Sequence, residues 1–127
     1  MGRTENLSIH TPDRTGDISP VAFLRDKYAI LITARPQKYR EATLERIKLL
    51  TDWQPQEAYF AEISAPPPEI KEHLLLNYIF PKHGRNGEDY FGIESNPKTR
   101  AMYLRYGIKS LRAEDFKKQT VDKFGLT

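Results

Sequence analysis

The aliphatic run Ile30-Leu31-Ile32 stops abruptly at Thr33-Ala34-Arg35-Pro36, and Tyr90-Phe91-Gly92-Ile93 stops in the same manner at Glu94-Ser95-Asn96-Pro97. A strand with one wet face alternates apolar and polar side chains. A strand that is apolar throughout must be covered on both faces, the usual state of a parallel sheet packed between helices. In both places the residues that follow read as a helix. The polar residues between strand and helix therefore fall at the carboxyl ends of strands, where open α/β sheets gather their ligands.

The remainder of the chain repeats this alternation. Tyr28 to Thr33 reads as a buried strand, and Gln37 to Thr51 as a helix with Ala42, Leu44, Ile47 and Leu50 turned inward. Ala58 to Ile63 reads as a second strand, closed by Pro66-Pro67-Pro68, and Glu69 to Phe80 as a helix with Ile70, Leu74, Leu75 and Tyr78 inward. Lys82 to Asp89 is a charged loop. Tyr90 to Ile93 is a strand, Asn96 to Tyr106 a helix ended by Gly107 as a left-handed cap, Ile108 to Leu111 a short strand, and Ala113 to Phe124 a closing helix. Upstream, Ser19 to Arg25 reads as a brief helix with serine capping and Pro20 in its first turn, and Asn6 to His10 as a weak edge strand. Strands and helices at this spacing predict right-handed βαβ units in a Rossmann-like three-layer α/β sandwich with a central parallel sheet. Residues 1–17 form an atypical N-terminal segment, and 18–127 carry the single domain.

A chain of 127 residues can bury a core without staples. With no cysteine there is no disulfide framework, thiol nucleophile or thiolate metal site. Met1 to Gly16 has no apolar core of a signal peptide, and no apolar run is long enough to cross a bilayer. The expectation is a soluble, cytoplasmic protein with no membrane partner. A net charge of +3 is mildly basic, compatible with a phosphate-bearing partner and equally with an ordinary solvated surface.

Among individual residues, Thr33 stands where a buried strand gives way to a loop before a helix. Its hydroxyl and the backbone N–H groups of Ala34 and Arg35 can hold a phosphate oxygen, and the Arg35 guanidinium adds a charged donor; otherwise Thr33 is a cap beside a turn. Lys71 opens the third helix, a position where a lysine is ordinarily solvated. Lys82, His83 and Arg85 read as an exposed basic loop. Glu94, taken by itself, is an acid at a strand end.

Leu31 through Leu44, with Thr33, Arg35-Pro36 and Tyr39-Arg40, resembles the second motif of haloacid dehalogenase superfamily phosphatases. Glu94-Ser95-Asn96-Pro97, followed by Met102-Tyr103 and Gly107-Ile108, resembles their fourth. The likeness spans about residues 18–116 in order and spacing. It implies a capless haloacid dehalogenase-like domain with Lys71 neutralising the phosphate, and Glu94 as the first of two acids that hold magnesium. Ser95 replaces the second acid, which weakens a magnesium site that needs oxygen ligands. An open, capless site implies a macromolecular ligand such as a nucleic-acid end or a phosphoprotein.

The first motif, an apolar strand ending in Asp-x-Asp-Gly-Thr, has no clear counterpart. One register of Ile9 to Asp17 puts Thr11 at the nucleophile. The other makes Asp13 the nucleophile and a magnesium ligand, with Thr15-Gly16 after it, but Pro12 interrupts the strand that should deliver it. The resemblance therefore implies a catalytically impaired domain that binds a phosphate-bearing ligand or a protein partner, including a second copy that completes the sheet. The alternatives are an active magnesium-dependent phosphohydrolase, and a basic α/β module for nucleic acid.

Overall fold

The computed structural model describes residues 4–7 and 19–114. Strands β1 (Thr4–Leu7), β2 (Tyr28–Pro36) and β3 (Glu57–Ala61) form a parallel sheet in the order β1-β2-β3. Strands β4 (Phe91–Ile93) and β5 (Lys109–Leu111) form a second parallel pair, and β4 lies against β1. The N-terminal strand begins two residues earlier than the sequence pattern suggests and stands at the edge of its sheet as expected; the expected residues 8–10 lie outside the described residues. Both flanks of β2 are taken by strands of its own chain.

Helices α1 (Ser19–Leu24), α2 (Arg40–Thr51), α3 (Pro67–Leu74), α4 (Phe80–His83) and α5 (Pro97–Arg105) alternate with the strands. The chain is thus a mixed α/β protein with small parallel sheets. The alternation of β2 explains how they are covered. Ala29 and Leu31 join Val21, Leu24, Ile47 and Phe60 in one apolar core, whereas Ile30 and Ile32 join Ile70, Leu74, Met102 and Ile108 in another. Neighbouring strand residues point to opposite faces, so α1 and α2 serve one face of β2 while α3 and α5 serve the other. No helix among the described residues is long and apolar enough to cross a membrane.

Two inward faces differ from expectation. In α2 the buried residues are Thr43, Ile47 and Thr51; Leu44 is half-buried, Ala42 and Leu50 are exposed, and Leu49 is 81% exposed. A threonine can be buried there because the Thr51 hydroxyl donates to the Ile47 carbonyl at 2.6 Å and so satisfies itself within the helix. Arg25 closes the same end, its Nη2 donating to the Thr51 carbonyl at 2.6 Å.

The second difference lies in the helix after β3. It runs from Pro67 to His83 in one body, but Leu75–Ile79 form a π turn between α3 and α4. Pro81 has no N–H for the carbonyl four residues back, and a wider turn just before it accommodates that loss. The extra residue delays the helical phase by one position. Ile79 consequently takes the buried place that regular spacing gives Tyr78, and Tyr78 is turned out to solvent.

At α5 the Gly107 cap forms as expected, and Asn96, read as the first helical residue, is the N-cap. Asn96 Oδ1 accepts from the N–H groups of Lys98 and Thr99 at 2.8 and 3.4 Å, and Pro97 begins the helix. At the other end the Gly107 and Ile108 N–H groups donate to the Leu104 and Tyr103 carbonyls, with Gly107 at φ +81°. The corner is tight. A Cβ built on Gly87 would lie 2.1 Å from the Tyr106 carbonyl oxygen. The helix expected over 113–124 begins at Ala113 and Glu114, and the rest of it lies outside the described residues.

Candidate functional site

Parallel strands place all their carboxyl ends on one rim. The rim of β2 is irregular: Ile32 pairs with Tyr59, but the next registered pair is Pro36 with Ala61. Four steps along β2 thus face two along β3, and the excess is a bulge at Thr33-Ala34-Arg35. Bulges bend a strand and re-aim its side chains, and they concentrate beside active sites. Thr33 is 4% exposed and its Oγ1 accepts from the Arg35 N–H at 3.1 Å, which folds the loop over the threonine. Arg35 projects into solvent.

Lys71 and Glu94 meet directly. Lys71 Nζ lies 2.7 Å from Glu94 Oε1, and neither side chain has any exposed surface. Helix α3 starts from the carboxyl end of β3 and Glu94 follows the carboxyl end of β4, so this contact brings both strand ends to one rim. A lysine expected to be solvated is therefore sealed. Burial pulls its pKa down, and the Glu94 carboxylate pushes it back up. The other Glu94 oxygen, Oε2, accepts from the Asn96 N–H at 2.9 Å, while Arg100 Nη1 donates to the Glu94 and Ser95 carbonyls at 3.0 and 2.9 Å. The turn after β4 is thus held from three directions.

The sealed pair departs from the open site implied by a capless fold. Of the expected phosphate ligands, Arg35 alone is exposed. Asp13, the candidate nucleophile and metal ligand, lies outside the described residues. Among the described residues, no group of three histidine or carboxylate side chains gathers where a metal could sit. Glu94 already uses both oxygens, on Lys71 and on Asn96. This donor set by itself does not fit magnesium.

A second ionic cluster lies at the opposite end of the strands. Glu57, the first residue of β3, accepts from the Tyr28 hydroxyl, from Tyr59 Oη at 2.6 Å, from His83 Nε2 at 2.8 Å and from Lys82 Nζ at 3.1 Å. Burial favours the protonated carboxyl, but the four donors outweigh it and hold the pKa down at about 2. In return, its hydrogen bond to Glu57 is the main cause that pushes Tyr28 up to about 12. Lys82 and His83, read from sequence as an exposed loop, instead end α4 and fasten it to β2 and β3. Arg85 lies over the Phe80 ring at 5.1 Å. The residues of this hub sit in three separated segments with no shared motif. The only sequence hint is that Tyr28 and Tyr59 interrupt otherwise aliphatic strands.

No protein-family model and no curated protein matches the chain.

Proposed function

We propose that the chain is a haloacid dehalogenase-like domain, a three-layer Rossmann-like sandwich that binds a phosphate-bearing ligand at the carboxyl rim without turning it over. The observation that carries this reading is the Lys71–Glu94 pair. Stripping two charges of water costs several kcal/mol per ion, and a hydrophobic pair would fill the same space more cheaply. A chain that keeps such a pair at the ligand-gathering end of its strands is using the charges. The layering is supported by cores on both sides of β2 and by β4 lying against β1.

In this reading Arg35 and the bulged backbone at Thr33 and Ala34 take the phosphate at the surface, and Lys71 supplies positive charge from beneath. Impairment is supported by the full occupation of Glu94 and by Ser95 standing where a second acid belongs.

The test is binding of inorganic phosphate and p-nitrophenyl phosphate to the full chain, followed by phosphorus NMR. Arg35→Ala should weaken binding roughly tenfold, the size of one charge-assisted hydrogen bond. A folded protein that binds neither compound overturns the reading. Magnesium-dependent hydrolysis abolished by Asp13→Asn retains the family and overturns the impairment.

A further inference from the structure

A cleft of about 390 Å³ follows the outer edge of β3, with Gln37, Arg40, Tyr59, Tyr78 and the carboxylates Glu57 and Glu62 among its walls. That volume is in the range of small-molecule sites. The rings of Tyr59 and Tyr78 are stacked, 5.5 Å apart and 19° from parallel. Tyr78 is 37% exposed and lines the cleft, so the stack is partly open there. The π turn puts it there, and π turns inside helices concentrate at functional sites. Glu62 accepts from the Tyr78 hydroxyl, which fixes the ring in position.

Arg40, which also lines the cleft, is held against the Phe60 ring and donates from Nη1 to the Ala58 carbonyl at 2.7 Å. A guanidinium has five donors in a planar fork suited to a phosphate. The same side chain, with Gln37 Nε2 on the Phe60 carbonyl at 3.4 Å, covers edge-strand carbonyls that an added peptide strand would need. The occupant is therefore not a strand. A pre-stacked aromatic face beside a guanidinium matches a planar base joined to a phosphate.

We propose that this cleft binds one nucleotide unit, its base stacked on Tyr78 and its phosphate on Arg40. The site stands apart from the Lys71–Glu94 rim and does not depend on the reading given to that rim. A free nucleotide and a single-stranded nucleic acid present the same chemistry.

The test is calorimetric titration of the full chain with AMP, with ribose 5-phosphate and with a six-nucleotide oligodeoxyadenylate. Base stacking should make AMP or the oligonucleotide bind about 5- to 150-fold more tightly than ribose 5-phosphate. Tyr78→Ala should erase that preference and Tyr78→Phe should keep it. Binding of AMP without the oligonucleotide assigns a free nucleotide, and binding of the oligonucleotide alone assigns a strand; both support the site. Should Tyr78→Ala not fold, Arg40→Gln carries the test, with reduced affinity and a shallower salt dependence expected. Equal affinities for AMP and ribose 5-phosphate, a preference that survives Tyr78→Ala, an affinity and salt dependence unchanged by Arg40→Gln, or no binding of any of the three overturns the proposal.

Discussion

The two ionic clusters differ in everything except the sign of their centres. At the carboxyl rim one lysine and one carboxylate face each other in a dry interior, and each depends on the other. At the amino end one carboxylate is shared by four donors, two of them neutral hydroxyls, and Lys82 keeps 57% of its side chain in water. A dry pair is brittle, because losing either partner strands a bare charge. The hub is forgiving although Glu57 keeps only 8% of its side chain exposed, because the remaining donors replace whatever is lost.

The sharpest way to break this contrast is Lys71→Met, which should lower unfolding free energy in urea by about 3–5 kcal/mol by leaving the buried Glu94 carboxylate without Lys71. Lys71→Met with Glu94→Met should recover most of that loss. A double variant no better than the single would mean that the charge was never desolvated.

Acid titration examines the hub. The folded Glu57 pKa of about 2 lies below its ordinary 4.5, so its stabilisation is present above pH 4.5 and fades as pH falls toward 2. Discounted for solvent screening, the effect is about 1–2 kcal/mol. It should appear as a slope in wild-type denaturation midpoints that Glu57→Gln flattens. Lys82→Ala should do least, changing stability by under about 1 kcal/mol, as expected of an exposed ion pair. A larger loss in the same urea titration would make the hub as brittle as the rim.

The strands were legible because β2 and β3 carry their signal locally, in continuous apolar runs. The Gly107 cap of α5 was legible for a similar reason, since it acts on its own backbone, whereas Asn96 was read as the first helical residue and is the N-cap. The inward face of α2 was not, because Thr51 satisfies its hydroxyl within the helix and Thr43 is buried with no hydrogen bond on its Oγ1 among the described residues, while Leu49 and Leu50 remain outside. Tyr78 was misplaced by a phase shift that originates at Pro81, three residues beyond it. For the candidate site, the sequence supplied Thr33, Lys71 and Glu94 singly. The Lys71–Glu94 contact depends on the meeting of α3 with the end of β4, which no local pattern encodes. The Glu57 hub escaped altogether, because its members share neither a spacing nor a segment.

At the corner where Gly87 meets Tyr106 and Gly107, two stretches of main chain touch with nothing between them. The smallest side chain would have to push apart the turn that leads into β4 and the turn that leads into β5. The only tolerated spelling at position 87 is hydrogen. At Gly84 nothing lies within 4 Å of an added Cβ, and only the handedness of its backbone, φ +105°, restrains substitution. Two glycines three positions apart are thus held by unrelated constraints, one of space and one of torsion, and drift in this loop will meet them as separate barriers.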